Sequence, residues 1–579
     1  MVAMNSTSYS EYDVRARPKP FTFYPPKTNP FVIGLVKMGI RGATRRNLRV
    51  TQIELSDDDL DNAEKKVTEM NCATRLRMLT VGWILITSAN PTMITATEPP
   101  IWNIDSRREL FVDRFLVDQL NGVRFQLHHP RPAEMAVTLD QPWEKRFHNG
   151  ISVIKDGQRF LLYYSAFNRL AVATSEDGVH WSKPKLGLVE IDGSRANNLV
   201  GTIGGKLMIE DFHTKPLPEV FLDTRPGVKP DERFKAFTLI ETPGRTRVIC
   251  WVSSDGFLFH KLRDEPIIDT SLYGAFDGFE SLFWSDVEQQ YVLYIRYAIR
   301  VSPPTPADPN RRSIARMTSP DLLTWDSPKP MTFGSDGVLP PDHHYNNQTT
   351  PYFRAPQIYI ALSNRLAQTR QALTREQAIA AKLELTRTEI DDPIQWLIGD
   401  CADTVMMTTR GGTHFDRLFQ EALVRPGPGA QNWVTRSNYT LRGLHPTGAH
   451  EMSIWVTRHN GQPTCHVRRF VFRTDGLVSI HAPLAGGELL TQPFTFQGNT
   501  LEINYATSAV GSIRVEIQDL NGQPMPGLRL KDCVEIFGDE IAGTVTWNST
   551  SRLADIAGQP IRLRFVMKDA DLYSLRFRE

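Results

Sequence analysis

Short apolar runs alternate with polar turns through the middle of the chain, over residues 140–485. The runs are rich in Val, Ile, Tyr, Phe and Trp, and they come in pairs such as residues 151–154 with 160–164 and residues 282–284 with 291–295. Runs of this length and composition, bounded by turn residues, are typical of β-strands. The pattern therefore predicts an all-β region built from strand pairs.

A turn motif recurs five times in this region. The three clear copies are Ser175-Glu-Asp-Gly-Val-His-Trp181, Ser253-Ser-Asp-Gly-Phe-Leu-Phe259 and Ser319-Pro-Asp-Leu-Leu-Thr-Trp325. Weaker copies are Thr409-Arg-Gly-Gly-Thr-His-Phe415 and Arg473-Thr-Asp-Gly-Leu-Val478. Ser and Asp side chains bond nearby backbone amides, and Gly adopts a positive φ, so each copy is expected to connect the two outer strands of one sheet. Five copies predict a five-bladed β-propeller over residues 105–485.

Two other segments break this pattern. In residues 364–385, Leu, Ala and Ile recur at helical spacing, which predicts an amphipathic helix that packs beside the propeller or covers a substrate. After residue 486, alternating strands at 501–505, 512–517 and 561–566 predict a separate C-terminal β-sandwich over residues 486–579.

The amino-terminal region resembles an export signal preceded by extra chain. Residues 70–77 carry two arginines and no acid, residues 78–86 form a short apolar run, and Ile94-Thr-Ala96 is a small-residue cleavage sequence. This order predicts a secretory signal peptide at 70–96 and an exported protein, and the apolar run is too short for a stable membrane span. Residues 1–69 are interpreted as an over-extended reading frame. The alternative is a buried strand behind a disordered leader.

Composition excludes several classes of function. The 579 residues carry 66 Lys and Arg against 65 Asp and Glu, and this balance argues against nucleic acid as a partner. The five cysteines form no Cys-x-x-Cys pair or Cys/His cluster, so no metal is expected and buried free thiols are favoured. No phosphate-binding Gly-rich loop and no Gly-x-Ser-x-Gly motif occurs, so neither a cofactor nor a serine hydrolase is indicated.

A five-bladed propeller followed by a β-sandwich resembles the invertases and inulinases of glycoside hydrolase family 32. The Tyr163-Tyr-Ser165 segment and the Ser-x-Asp-Gly-x-x-Trp turn are similar to family 43 arabinanases and xylosidases. Residues 107–113, 511–516 and 569–573 resemble segments of secreted bacterial family-32-like proteins. The resemblance spans residues 105–579 and implies a carbohydrate partner. The family 32 nucleophile motif Trp-Met-Asn-Asp-Pro-Asn-Gly is not matched by Gln141-Pro-Trp-Glu-Lys-Arg-Phe-His-Asn-Gly150, so fructan specificity is not implied.

The repeat register predicts which residues meet at the channel mouth, because the innermost strand of every propeller blade begins there. The five predicted starts are His148 with Asn149, Arg233 with Lys235, Glu280, Arg354, and His450 with Glu451. Two carboxylates among basic and amide side chains are what a glycosidase needs for acid/base catalysis. The basic and amide residues are predicted to bind substrate.

Glu280 is the first catalytic candidate, as the general acid, because residues 279–284 are similar to the third-blade segment that carries the acid in family 43. Glu451 is its candidate partner, or else forms a salt bridge with Arg354 or Arg458. The further catalytic candidates are Glu144, Asp277 and Asp403, and behind them Asp140, Asp211 and Asp223. Trp143, Tyr345 and Tyr352 are candidates for stacking on sugars. His344 is a candidate binding residue rather than a metal ligand with His343, because neighbours on a strand face opposite ways.

Three functions follow from these residues. The first is an exported glycoside hydrolase acting on poly- or oligosaccharides. The second is a non-catalytic carbohydrate-binding or scaffold propeller, since a fold alone does not establish catalysis. The third is a sialidase-like enzyme, with Arg233, Arg354 and Arg410 binding a carboxylated sugar.

Overall fold

The computed structural model describes residues 100–144, 150–166, 169–202, 219–242, 245–270, 279–305, 308–334, 342–384, 390–550 and 552–579. The predicted leader at 1–69 and the predicted signal segment at 70–96 lie outside these residues. No helix among the described residues is long and apolar enough to cross a membrane.

Five small sheets follow one another along the chain and form the five blades of the propeller, and their strands are antiparallel except for the parallel pair of Gly201–Thr202 with Leu258–Lys261. Blade I contains Gly150–Asp156, Arg159–Ala166 and Arg169–Ser175. Blade II contains Glu219–Leu222, Phe234–Thr242, Arg245–Ser253 and Leu258–Lys261, with the short strands Gly201–Thr202 and Ile268–Thr270 at its edge. Blade III contains Phe279–Ser285, Gln290–Thr305, Asp308–Ser319 and Lys329–Pro330. Blade IV contains His343–Tyr352, Ala355–Ala367 and Cys401–Thr409, and Thr332–Phe333 pairs with His414–Phe415 beside it.

Blade V is closed by a strand from the other end of the chain. Its strands are His445–Pro446, Glu451–Arg458, His466–Arg473 and, outermost, Arg131–Thr138. His466 pairs antiparallel with Thr138, and Val471 pairs with Arg131. The strand that precedes blade I therefore completes the last blade and joins the two ends of the propeller.

Each pair of neighbouring blades encloses its own buried core, which explains the nearly continuous apolar runs of the second strands. In residues 160–164, Phe160, Leu162 and Tyr164 pack against blade V, whereas Leu161 and Tyr163 pack against blade II. Successive side chains on a strand point to opposite faces, so both faces of such a strand are buried. The five interblade cores show that the sheets form a closed ring of five.

The three clear copies of the turn motif form the local hydrogen bonds that the sequence predicts. In the first copy, the Ser175 hydroxyl accepts from the amide of Gly178 at 2.8 Å, and Asp177 accepts from the amides of Val179 and His180 at 2.8 Å. The copy at 253–259 repeats both kinds of bond, and in the copy at 319–325 Asp321 accepts from the amides of Leu323 and Thr324. Gly178 has a φ of +77°, the conformation for which glycine is suited.

The fifth copy has a different role from the predicted one. Asp475 is buried, accepts from the Tyr352 hydroxyl at 2.6 Å and from the Ser574 hydroxyl at 2.7 Å, and forms an ion pair with Arg354 at 2.9 Å. The chain then enters Val478–Ala482, which pairs with Arg562–Arg578 and with Arg124–Leu127 rather than with blade V. This copy connects the propeller to the C-terminal sheet.

The predicted helix at 364–385 is shorter than expected. Residues up to Ala367 belong to the second strand of blade IV, where Ala367 pairs with Cys401, and this pairing prevents helix formation. The helix spans Arg375–Ala380, and Thr374 and Gln377 form a capping box at its start. A second helix spans Pro393–Ile398, and 3₁₀ turns span Pro230–Glu232, Ala430–Trp433 and Leu553–Ile556.

The C-terminal strands form a sheet that also contains strands from before the propeller. It consists of Arg108–Leu110, Val117–Asn121, Arg124–Leu127, Val478–Ala482, Gly487–Thr491, Thr500–Gln518, Asp539–Val545 and Arg562–Arg578. Trp102–Asp105 pairs separately with Phe494–Phe496. The described strands of residues 102–127 thus pair with C-terminal strands and not with a blade. The grouping of these strands into a two-layer sandwich stays a prediction.

The four cysteines among the described residues are Cys250, Cys401, Cys465 and Cys533, and each is a buried free thiol. Burial raises the pKa of the Cys250 and Cys465 thiols to about 12. A thiol in this state is protonated at neutral pH, so these cysteines act as small apolar side chains.

Candidate active site at the channel mouth

The five inner strands define the two ends of the channel. In blade I the inner strand starts at Gly150, which pairs with Tyr164, and finishes at Asp156, which pairs with Arg159. In blade II, Glu219 pairs with Phe237 and Leu222 pairs with Phe234. We call the end where the inner strands start the mouth end and the other the far end.

Only part of the predicted mouth falls within the described residues. His148, Asn149, Asp277 and Asp211 lie outside them. Glu280 is the second residue of the inner strand of blade III, Phe279–Ser285, which is the position predicted for it. Its side chain is not among the described ones, so its catalytic role stays a prediction.

Four predicted mouth residues lie at the far end instead. Arg233, Lys235, Arg354 and Glu451 precede or begin the second strands of blades II, IV and V, and second strands start where inner strands finish. The sequence pattern identified the longer second strand as the inner one in these blades. His450 shares this position in the turn before Glu451.

Each of these four residues has a charged partner at the far end. Arg233 pairs with Asp156, Lys235 with Asp223 at 2.7 Å, Arg354 with Asp475 at 2.9 Å, and Glu451 with Arg469 at 3.0 Å. Asp223 is buried and also accepts from the Tyr291 hydroxyl at 2.8 Å. These contacts connect strands and blades, and they do not converge on one site.

The arginine cluster expected of a sialidase-like site is likewise not formed. Arg410 follows the third strand of blade IV at the far end and forms ion pairs with Glu109 and Asp113, both at 2.8 Å. With Arg233 and Arg354 also in ion pairs, all three predicted arginines already have carboxylate partners.

Glu144 is part of a buried network beside blade I. Its carboxylate accepts from the Tyr164 hydroxyl at 2.6 Å and forms an ion pair with Lys183 at 2.8 Å. Trp143 donates its indole N–H to Asn198 at 3.1 Å, and Asn198 in turn donates to Tyr164 at 2.7 Å. Lys183 also contacts the exposed Asp140 at 3.0 Å. The network holds residues 140–144 against blade I, and both carboxylate oxygens of Glu144 accept hydrogen bonds within it.

His344 lies near the start of the inner strand of blade IV and therefore at the mouth end, but its ring packs inside the blade. The ring stacks on Phe333 at 5.2 Å, and Nδ1 shares a hydrogen bond with Ser363 at 2.8 Å. Burial lowers the pKa of His344 to about 3. The residue is therefore neutral. Among the described residues, no group of three or more His, Cys, Asp or Glu side chains is placed to hold a metal ion.

The remaining aromatic and acidic candidates divide between the two ends. Tyr345 lies at the mouth end, packs against Tyr439 at 5.4 Å and has the guanidinium of Arg312 over its ring at 4.3 Å. Tyr352 is buried at the far end. Asp403, at the mouth end of blade IV, forms a two-pronged ion pair with Arg365 at 2.8 and 2.7 Å.

A carboxylate that the repeat register missed lies at the mouth. Glu219 is the first residue of the inner strand of blade II and is 4% exposed. Its Oε1 accepts from Nε of Arg442 at 2.6 Å. Burial raises the pKa of Glu219 to about 7, although Arg442 acts in the opposite direction. The signal in the sequence was the acidic residue that opens the short apolar run Glu219-Val-Phe-Leu222.

Arg442 reaches Glu219 of blade II from blade V, and blade I lies between these two blades. It lies on the innermost segment of blade V, where its backbone pairs with Ile151 and Val153 of blade I. Its guanidinium also donates to the carbonyls of Val220 in blade II and, at 3.0 Å, of Leu282 in blade III. One buried cation therefore connects Glu219 to the strand that carries Glu280.

This arrangement is suited to proton transfer. A carboxyl group with a pKa near 7 is partly protonated at neutral pH, so it can give up a proton and take one back. Arg442 stabilises the carboxylate formed when the proton leaves. The Glu219 carboxyl group with its Arg442 partner is the strongest candidate for catalysis among the described side chains.

Comparison with known proteins gives fold likeness alone. No protein-family model matches the chain, and no curated protein matches it. Among solved structures, an exo-inulinase from Aspergillus awamori is 13% identical with a TM-score of 0.32, and it covers 76% of this chain and 99% of its own. A Bombyx mori family 32 β-fructofuranosidase is 12% identical with a TM-score of 0.32 and covers 78% and 94%.

A third similar structure is a family 43 arabinoxylan arabinofuranohydrolase from Bacillus subtilis, 12% identical with a TM-score of 0.31, covering 75% of this chain and 96% of its own. These are the two families whose motifs the sequence resembles. The five-bladed propeller itself is established by the strand pairing and interblade cores of this chain, and similarity at this level transfers no activity to it.

Proposed function

We propose that the protein is a glycoside hydrolase that cleaves poly- or oligosaccharides at the mouth end of the channel. Glu219 is the general acid, and Glu280, near the start of the neighbouring inner strand, is the second carboxylate. The single observation that carries the proposal is the buried Glu219 carboxyl group at the mouth, with a pKa near 7 and a cation beside it. Hydrolysis of a glycosidic bond requires one protonated and one ionised carboxyl group.

The assignment of the acid differs from the sequence-based expectation, in which Glu280 had that role. Glu219 takes it because its burial favours the protonated form. Glu280 then serves as nucleophile or as base. A separation of about 5 to 5.5 Å between the two carboxyl groups corresponds to a retaining enzyme, and about 6.5 to 9.5 Å to an inverting one.

The test is a screen of the purified full chain against neutral and acidic polysaccharides, with release of reducing ends as the readout. Glu219→Gln and Glu280→Gln are each expected to lower the rate by about 100-fold or more, the usual contribution of a positioned acid or base. Glu176→Gln, at an exposed position in a far-end turn, is the matched control. Wild-type rates in both site variants would refute the assignment.

One observation favours the alternative of a non-catalytic carbohydrate-binding propeller. Arg442 donates to three groups on two blades, so the ion pair with Glu219 also acts as a cross-brace of the channel. If that is its role, the wild-type protein binds polysaccharide without cleaving any of the panel, and Glu219→Gln lowers stability while binding is retained.

Two further parts of the proposal concern the rest of the chain. Export is supported by the basic, apolar and small-residue order of residues 70–96. The sandwich is supported by the single buried core that the C-terminal strands share with Ile104, Phe111 and Val117. Sequencing of the mature amino terminus tests the first, and an experimental structure of the full chain tests the second.

A further inference from the structure

A cavity of 890 Å³ lies at the mouth end of blade IV, apart from the Glu219 site. Its walls are the end of the second strand at residues 365–367, the start of the third strand at residues 401–403, and the loop formed by residues 421–433. A volume of this size is within the range of small-molecule sites. His343, which begins the inner strand of blade IV, also lines it, so the cavity borders the channel mouth.

Two carboxylates in the cavity wall are already neutralised. Asp403 forms the two-pronged ion pair with Arg365, and Asp342 forms ion pairs with Arg417 at 2.5 Å and with Arg365 at 3.8 Å. Arg417 is buried, whereas Asp342 and Arg365 are partly exposed. These groups form a fixed polar wall with no excess of negative charge.

Two arginines of the lining differ from the rest. Arg370 and Arg425 are exposed, and neither side chain has a hydrogen bond or ion pair with any described residue. Glu421 is the one lining acid among the described residues without an ion pair, so the unpaired groups carry a net positive charge. Cationic side chains held at a cavity without a carboxylate partner attract an anionic ligand.

The loop that carries Arg425 is held in place by hydrogen bonds. The guanidinium of Arg458 donates to the carbonyl of Pro426, and Asn432 donates to the carbonyl of Pro428 at 2.6 Å. Trp433 donates its indole N–H to the carbonyl of Gly427 at 3.0 Å, which fixes a half-buried aromatic ring in the cavity wall. A wall that is already ordered loses little conformational freedom when a ligand binds, and an aromatic ring packs well on the apolar face of a sugar.

We propose that this cavity is a subsite for an acidic sugar unit, with Arg370 and Arg425 binding its carboxylate or sulfate group and Trp433 packing on its ring. The inference rests on the proposed function, and it narrows the substrate class to anionic saccharides. The saccharide extends from this subsite towards the channel mouth, where Glu219 lies.

The experiment measures binding separately from cleavage. Calorimetry with the full chain measures the affinity for three probes: trigalacturonic acid, the methyl ester of trigalacturonic acid, and a sulfated chondroitin tetrasaccharide. The methyl ester keeps the sugar rings and removes the charge. At least one charged probe is expected to bind at least 10-fold more tightly than the methyl ester, and which of them binds identifies the anionic group.

Arg370→Gln and Arg425→Gln are each expected to weaken binding of that charged probe by about 10- to 100-fold, the value of a charge-assisted hydrogen bond. Arg124→Gln, an exposed arginine of the C-terminal sheet, is the control with the same loss of charge and is expected to bind as wild type. Trp433→Ala is expected to weaken binding of the charged probe and of the methyl ester alike.

Equal affinity for the charged probes and the ester, no binding of either charged probe, or wild-type affinity in both arginine variants would overturn the inference. Binding of a charged probe without cleavage of any polysaccharide would leave the subsite standing and reject hydrolysis. Cleavage confined to neutral polysaccharides, at unchanged rates in both arginine variants, would reject the subsite alone.

Discussion

Replacing Glu219 with glutamine tests whether burial really dominates the ionisation of this carboxyl group. The pKa of Glu219 in the folded chain is about 7, against an ordinary value of 4.5. The folded state therefore binds the proton more tightly than the unfolded state, and folding stability falls as pH rises from about 4.5 to 7. The full effect is about 3 kcal/mol, because each pKa unit corresponds to about 1.4 kcal/mol.

Glutamine cannot ionise, so the free energy of unfolding of the variant contains no contribution from ionisation at position 219 at any pH. The assay is urea unfolding of wild type and Glu219→Gln from pH 4.5 to 8, compared as midpoints because a chain of this size need not unfold in two states. Histidines titrate equally in both proteins and cancel in the difference. We expect the wild type to lose stability relative to the variant as pH rises.

Two results would refute this reasoning. A difference that does not change with pH would mean that Glu219 ionises as an ordinary carboxyl group. The second result is a wild type that gains stability relative to the variant as the pH rises from 4.5 to 8, or loses stability relative to it below pH 4.5. Either change would mean that the Arg442 charge outweighs burial in setting the pKa of Glu219. In either case the general-acid assignment loses its physical basis.

Four other changes have defined outcomes. Asp475→Asn breaks a buried ion pair and is expected to cost about 3 to 5 kcal/mol and to speed proteolysis between propeller and C-terminal sheet. Gly256→Ala is expected to cost about 2 to 4 kcal/mol in thermal unfolding, because its φ is +84° and its Cβ would lie 2.4 Å from the Tyr163 hydroxyl. Gly187→Ala, with a φ of +72° and no atom within 4 Å, should cost about 1 kcal/mol. Glu451→Gln should change stability by less than about 1 kcal/mol and leave hydrolysis at the wild-type rate, since its partly exposed ion pair lies at the far end.

The turns were predictable because their chemistry is local. Ser175 and Asp177 bond amides within three residues of themselves, so the motif specifies its own shape. The same reasoning failed for the fifth copy, where Asp475 bonds Tyr352 and Ser574, 123 and 99 residues away. A motif that looks the same in the sequence has a different role when distant groups compete for its carboxylate.

The inner strands were harder to find because most of their stability comes from neighbouring blades. Glu219–Leu222 has four residues, and the described inner strand of blade V, His445–Pro446, has two. Second strands are longer and apolar on both faces, so they stand out in the sequence, and choosing them moved Arg233, Arg354 and Glu451 to the wrong end of the channel. The inner strand of blade III was found because it has seven residues and precedes a clear partner, whereas the site role of Glu280 in that strand stays a prediction.

The strand-rich character, the repeated turns and the number of blades could be predicted from the sequence, because side-chain alternation and turn hydrogen bonds act over a few residues. The strand that closes the ring and the carboxyl group buried at the mouth depend on long-range contacts, so neither could be predicted. Arg131–Thr138 finds its place by pairing with a strand more than 300 residues later. Glu219 owes its raised pKa to burial by the ring and meets its cation 223 residues along the chain, and neither effect can be read from the residues that flank it.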